Sequence, residues 1–220
     1  MGTRITSLAN NFDTTGKLKA AGINNASLSG ITSLPSGIAG KLTLISSQTA
    51  SSDSSLSFTS GIDSTYSKYI FKFVNIHPSD NNALLQIRAS TDGGSSYGVT
   101  ITTSYVQAEH AEDGSGNTRI LYNTSFHLAQ STSNQWISNG ISNDNDGSAS
   151  GELELYNPSS TTYIKQIMGS MQQMSGGGVS RNAYVGGYYN TTSAIDAIQF
   201  VMTAGTIDSG TISLYGVSSS

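Results

Sequence analysis

Ile207-Asp208-Ser209-Gly210-Thr211-Ile212-Ser213-Leu214-Tyr215-Gly216 is the stretch that decides the fold. Asp208-Ser209-Gly210 is a turn signal. The residues after it put Ile212 and Leu214 on one side and Ser213 and Tyr215 on the other. A period of two is that of a β-strand with one face buried. Moving outward, Glu152-Leu153-Glu154-Leu155-Tyr156 alternates in the same way, and Tyr69, Phe71 and Phe73 share a face in a run that Pro78 ends. Further strands are expected at 42–45, 56–58, 84–88, 97–103, 119–128, 163–168, 183–189 and 195–202, with Gly/Ser/Asn/Asp clusters between them. No sustained 3.6-residue face is visible. The expected class is all-β: a two-sheet antiparallel sandwich, jelly-roll-like, over residues 42–220.

The chain has 220 residues, enough for one large β domain and a short appendage. Charged residues are 11% of it, well under the usual ~25%. Its eleven tyrosines and small net charge of −4 are unlike a disordered chain, so the surface is kept soluble by hydroxyls and amides. Cysteine is absent, which rules out a disulfide framework. No apolar run approaches the ~18 residues of a membrane span, and residues 1–6 have no apolar signal core, so neither membrane insertion nor secretion is expected. No basic stripe with interleaved aromatics suggests nucleic acid.

Residues 1–41 form a separate segment by pattern. Glycines interrupt every candidate element, yet Ile5, Leu8, Phe12, Leu18, Ile23, Leu28 and Ile31 keep returning. Arg4, Lys17, Lys19 and Lys41 face Asp13 alone, whereas the chain as a whole is acidic. An extended N-terminal arm that buries these apolar residues against sister copies or a scaffold accounts for the pattern. An ordinary start to the same domain is the alternative.

Chemistry-bearing motifs are sparse. Ser90-Thr91-Asp92-Gly93-Gly94-Ser95-Ser96-Tyr97 has the form of an Asp-box, in which the aspartate and glycines shape a hairpin turn over an aromatic. Gly94-Ser95-Ser96-Tyr97-Gly98 matches the nucleophile-elbow pattern, but a strand-like run follows it where a helix is needed. Trp136 with Tyr188, Tyr189 and Asn190 is the candidate glycan platform. Aromatic faces there would stack on sugar rings, and Gln130, Asn134 and Gln135 would add amides. Asp144 and Asp146, in Asn143-Asp144-Asn145-Asp146-Gly147, are the candidate calcium ligands, although the closing glutamate of a calcium loop is missing. No other cofactor is expected. The carboxylates Glu109, Glu112, Asp113, Glu152 and Glu154 show no pairing that suggests catalysis, and the chain is expected to be non-enzymatic.

Several phrases together resemble structural proteins of tailed-bacteriophage virions: Phe58-Thr59-Ser60-Gly61-Ile62-Asp63-Ser64-Thr65-Tyr66, Asn75-Ile76-His77-Pro78, the Ser90–Tyr97 phrase, Leu128-Ala129-Gln130-Ser131-Thr132, Tyr156-Asn157-Pro158, Ala194-Ile195-Asp196-Ala197-Ile198-Gln199-Phe200 and Ile212-Ser213-Leu214-Tyr215-Gly216. The resemblance implies a fibre, spike or capsid-decoration part located in the virion. Such parts are commonly homo-oligomers, such as homotrimers, that contact other virion proteins through the arm; the alternative reading is a carbohydrate-binding module or lectin-like adhesin that contacts host surface glycans. The resemblance supplies no catalytic residues.

Overall fold

A computed structural model describes residues 42–115 and 118–218. The chain divides into two units, Met1–Gly40 and Lys41–Ser220. All described residues belong to the second. The expected arm residues Ile5, Leu8, Phe12, Leu18, Ile23, Leu28 and Ile31 lie outside them.

Twelve strands are present among the described residues: β1 (Leu42–Thr49), β2 (Ser55–Phe58), β3 (Lys68–Pro78), β4 (Leu85–Ser90), β5 (Ile101–Ala111), β6 (Arg119–Tyr122), β7 (Gln135–Trp136), β8 (Ala149–Tyr156), β9 (Lys165–Ser175), β10 (Val179–Tyr189), β11 (Ala197–Met202) and β12 (Ile207–Val217). They make two antiparallel sheets. The larger has the order β1-β12-β3-β8-β9-β10-β5-β6 and the smaller β2-β11-β4-β7.

The pairings β1·β12, β2·β11, β3·β8 and β4·β7 are nested inside one another along the chain and fall alternately in the large and small sheet. One long hairpin has been wound into two layers, which is a jelly roll. Two further hairpins widen the larger sheet. β5–β6 arises in the connection from β4 to β7, and β9–β10 in that from β8 to β11. They meet along the full length of β10 and β5, from Val179↔Ala111 to Tyr189↔Ile101.

Alternation builds the core. Tyr69, Phe71 and Phe73 of β3, Leu153 and Leu155 of β8, and Ile212 and Leu214 of β12 point inward from the large sheet. Phe58, Ile87, Ile198 and Phe200 meet them from the small one. Phe200 stands edge-on to Phe58, Phe71 and Phe73, with ring centroids 5.1–6.1 Å away. Such rings add stabilisation beyond the area they bury.

Several expected strands differ from those observed. Of the run expected at 97–103, residues 97–100 form no strand, and β5 starts at Ile101 and continues to Ala111. The run expected at 119–128 stops at Tyr122, because Asn123 accepts a hydrogen bond from the Ser125 amide and caps a 3-10 turn at Thr124–Phe126. Gly176-Gly177-Gly178 makes the turn of the long β9–β10 hairpin, with Gly178 at φ +64°.

Candidate functional site

The Asp-box phrase folds as a turn. Ser90 and Ser96 donate from their hydroxyls to the Asp92 carboxylate (2.6 Å each), and the Ser96 amide adds a third bond at 2.9 Å. These donors hold the Asp92 carboxyl down at about 2. The Asp92 and Gly94 amides in turn donate to Ser90 Oγ at 3.0 Å. A Cβ on Gly94, at φ +86°, would lie 2.7 Å from the Thr59 side chain and 2.8 Å from the Tyr97 hydroxyl, so glycine is required there. Asp92, Ser90 and Ser96 thus bond one another within the turn, while the Gly93 amide reaches out to the Asp196 carboxylate at 2.9 Å.

The glycan platform expected from the sequence is not assembled. Tyr189 is 1% exposed and belongs to the core, and burial pushes its phenol pKa up. Tyr188, its neighbour in β10, faces the opposite side of the large sheet, because successive side chains of a strand alternate. Trp136 lies in β7, the edge strand of the small sheet. Asn190 donates to Gln130 Oε1 (2.6 Å) and lines a shallow cleft with Tyr97 and Thr100. Four residues that look like one platform therefore sit in separate places.

Trp136 has other company. Gln86 is its direct cross-strand neighbour, and Phe126 meets the indole edge-on at 4.4 Å. With Ser125, Leu128, Ser133 and Asn134 they line a cleft of ≈ 450 Å³. Trp136 and Asn134 stand out by sequence, but Gln86 does not: it is 50 positions from Trp136 and arrives through the β4·β7 pairing.

The candidate calcium residues Asp144 and Asp146 lie two apart in one turn region. Asp144 accepts the Ser142 hydroxyl (2.8 Å) within a turn that the Gly147 amide closes on Asp144 O (2.7 Å). Asp146 lines a polar cleft with Asn75, His77 and Asp208. No group of three His, Asp or Glu side chains gathers to hold a metal among the described residues.

Of the carboxylates, Glu109 is the one that is buried and charged. Its oxygens accept from Arg181 Nε and Arg119 Nε, each at 2.8 Å, and Gln107 Nε2 donates to it at 2.6 Å. Burial pushes its pKa up, but the two guanidiniums outweigh burial and the net direction is down. A carboxylate committed to two arginines is a poor proton acceptor. Glu154 pairs with Lys68 and accepts from Tyr156, and Glu152 faces Lys72 at 3.9 Å. His77 contacts Gly147 O at 2.6 Å, and His127 contacts Tyr105 O at 3.1 Å.

The outer face of the larger sheet carries what the sequence pattern did not single out. Cross-strand partners form a row Leu44–Tyr215–Ile70–Glu154–Met168. The neighbouring row includes Tyr184–Val106–Tyr122. Leu44, Met168, Tyr184 and Tyr122 are 53–65% exposed. The lysines on this face, Lys68 and Lys72, are balanced by Glu154 and Glu152.

No protein-family model, curated protein or solved structure matches the chain. Among the described residues no helix is long and apolar enough to cross a membrane.

Proposed function

We propose that this chain is a non-enzymatic structural part of a bacteriophage particle: a fibre, spike or capsid decoration. It assembles as a homo-oligomer, a trimer in the simplest case. Residues 1–41 attach it to other virion proteins, and the jelly roll projects from them.

The observation that carries this reading is the outer face of the eight-stranded sheet. Strands at ~4.8 Å spacing give that face a width of ~38 Å, and the rows from Gln166 to Gln172 extend ~20 Å along the strands. The face therefore offers on the order of 800 Å², about what each partner contributes to a stable interface. Its exposed apolar residues lie among serine, glutamine and paired charges, so a second protein surface meets little uncompensated charge. Jelly rolls serve in viral capsids and in lectins, and that shared architecture agrees with the reading without deciding it.

The test is the molar mass of the purified full chain by light scattering at tens of micromolar. A mass of at least two whole copies of the 22.9 kDa chain is expected. A monomer at that concentration overturns the proposal.

A further inference from the structure

We infer that the cleft at Trp136 is a binding site for a neutral saccharide, on a different surface from the proposed assembly face. Gln86 and Trp136 are cross-strand neighbours in β4 and β7, while Ile87 and Gln135 beside them are buried. Gln86 and Trp136 therefore point away from the core, out of the small sheet. Ser125, Phe126, Leu128, Ser133 and Asn134 complete the lining around them. At ≈ 450 Å³ the cleft is within the ~300–1,000 Å³ range of small-molecule sites.

Its chemistry narrows the ligand. The floor is apolar: Trp136, Phe126 and Leu128. Phe126, perpendicular to the indole at 88°, fixes the orientation of that ring before any ligand arrives. The rim is polar and uncharged: Gln86, Ser125, Ser133 and Asn134. Asn134 Nδ2 donates to Gln86 Oε1 at 3.3 Å. That bond leaves Gln86 Nε2 as a donor and Asn134 Oδ1 as an acceptor, both without a partner among the described residues. An acceptor and a donor side by side match a ring hydroxyl, which donates and accepts at once. The aromatic floor matches the C–H face of a pyranose.

No lining residue is charged, so nothing in the cleft offsets the desolvation of a phosphate, a uronate or an ammonium group. A peptide is disfavoured for a separate reason. Strand addition needs a run of free backbone groups, and β7 offers only Gln135–Trp136.

Trp136 is the only tryptophan of the chain, so intrinsic fluorescence reports from inside the cleft. The full chain is titrated with cellotriose, maltotriose and chitotriose, and in parallel with trigalacturonic acid and a neutral Gly/Ser hexapeptide. A saturable emission change with at least one neutral trisaccharide is expected, and none with the acid or the peptide. Gln86→Ala and Asn134→Ala keep the fluorophore, and both side chains are half-buried and outside the core, so truncation should change the melting temperature little. Each should weaken binding about tenfold. The proposal is overturned if no neutral trisaccharide saturates, if the acid or the peptide binds as well, or if neither amide variant changes the affinity.

Discussion

Phe200 is where the two sheets close on each other. It is fully buried, and three phenylalanine rings from β2 and β3 stand edge-on around it. Removing that ring opens a cavity which neighbours on two rigid sheets cannot fill, so Phe200→Ala should cost ~3–5 kcal/mol. Urea unfolding would show it as a lower midpoint at unchanged slope. Asp92 tests a different force. Its carboxyl is held at about 2 by the hydroxyls of Ser90 and Ser96 and by the Ser96 amide. A carboxylate whose folded pKa lies below its unfolded value of ~3.9 supports the fold above that pH and loses its effect as pH falls towards 2. Carbon-detected NMR titration should therefore give Asp92 a midpoint about 2, and Asp92→Asn should remove its share of the acid response between pH ~4 and ~2. A midpoint near 4 would mean that the serines are not its donors.

At the scale of elements, the informative unit is the β9–β10 hairpin joined to β5. Arg181 of β10 crosses to Glu109 of β5 and also donates to Asn139 O at 2.9 Å, tying the hairpin to the segment that covers it. Arg181→Ala leaves a buried carboxylate with the neutral Gln107 amide and Arg119 as its one remaining cation, and Arg119 is half in solvent. The expected loss at pH 7 is ~3 kcal/mol, at the low end for breaking a buried ion pair because one partner remains. The sign with pH follows from the lowered pKa. The stabilisation from Glu109 is present above its unfolded value, ~4.3, and fades as pH falls through the folded one. The gap in urea midpoint between wild type and variant should therefore narrow at pH 3. A gap of equal size at both pH values would assign the loss to packing. These strands also mark where the sequence stops being legible. In β8 the inward residues are Leu153 and Leu155 and the outward ones Glu152 and Glu154, so polarity and burial agree. In β9 they part: Lys165, Gln173 and Ser175 are buried, and Met168 is exposed. Lys165 is tolerated inside because the carbonyls of Ser160, Tyr163 and Thr191 all accept from its ammonium. Hydrophobic period alone can place neither such a strand nor its ends. The three methionines show the same logic. Met168, Met171 and Met174 are three apart, so period two sends Met171 into the core and the other two to the outer side. The Trp136 cleft was half legible: the indole and Asn134 stand out in the sequence, but Gln86 reaches them only through pairing across the sheet.

For the whole molecule, the question is what the wide sheet is for. The nested pairs already close a jelly roll with β1, β12, β3 and β8 facing the small sheet's four strands; β9, β10, β5 and β6 double the width of the larger sheet. On their outer side, these added strands carry Met168 and Tyr184, which add little to a single chain because they stand mostly in solvent, and beside them Tyr122, whose ring meets His127 edge-on at 4.3 Å. Residues that cost solubility and add little to the fold are best explained by a partner. Met168→Glu combined with Tyr184→Glu should therefore leave the melting temperature within a degree or two of wild type, as surface changes usually do. The same variant should shift the molar mass towards 22.9 kDa, since two buried carboxylates facing their symmetry mates are strongly unfavourable in an interface. Removing residues 1–41 should leave a chain that still folds, since the core among the described residues runs from Ala50 to Leu214. Light scattering separates the two contributions. If the double glutamate variant keeps its oligomeric mass and the shortened chain loses it, sister copies are held together by the N-terminal segment and the outer face has some other occupant. If only the glutamates dissociate it, the wide sheet is the contact and the segment is free to attach elsewhere in the particle.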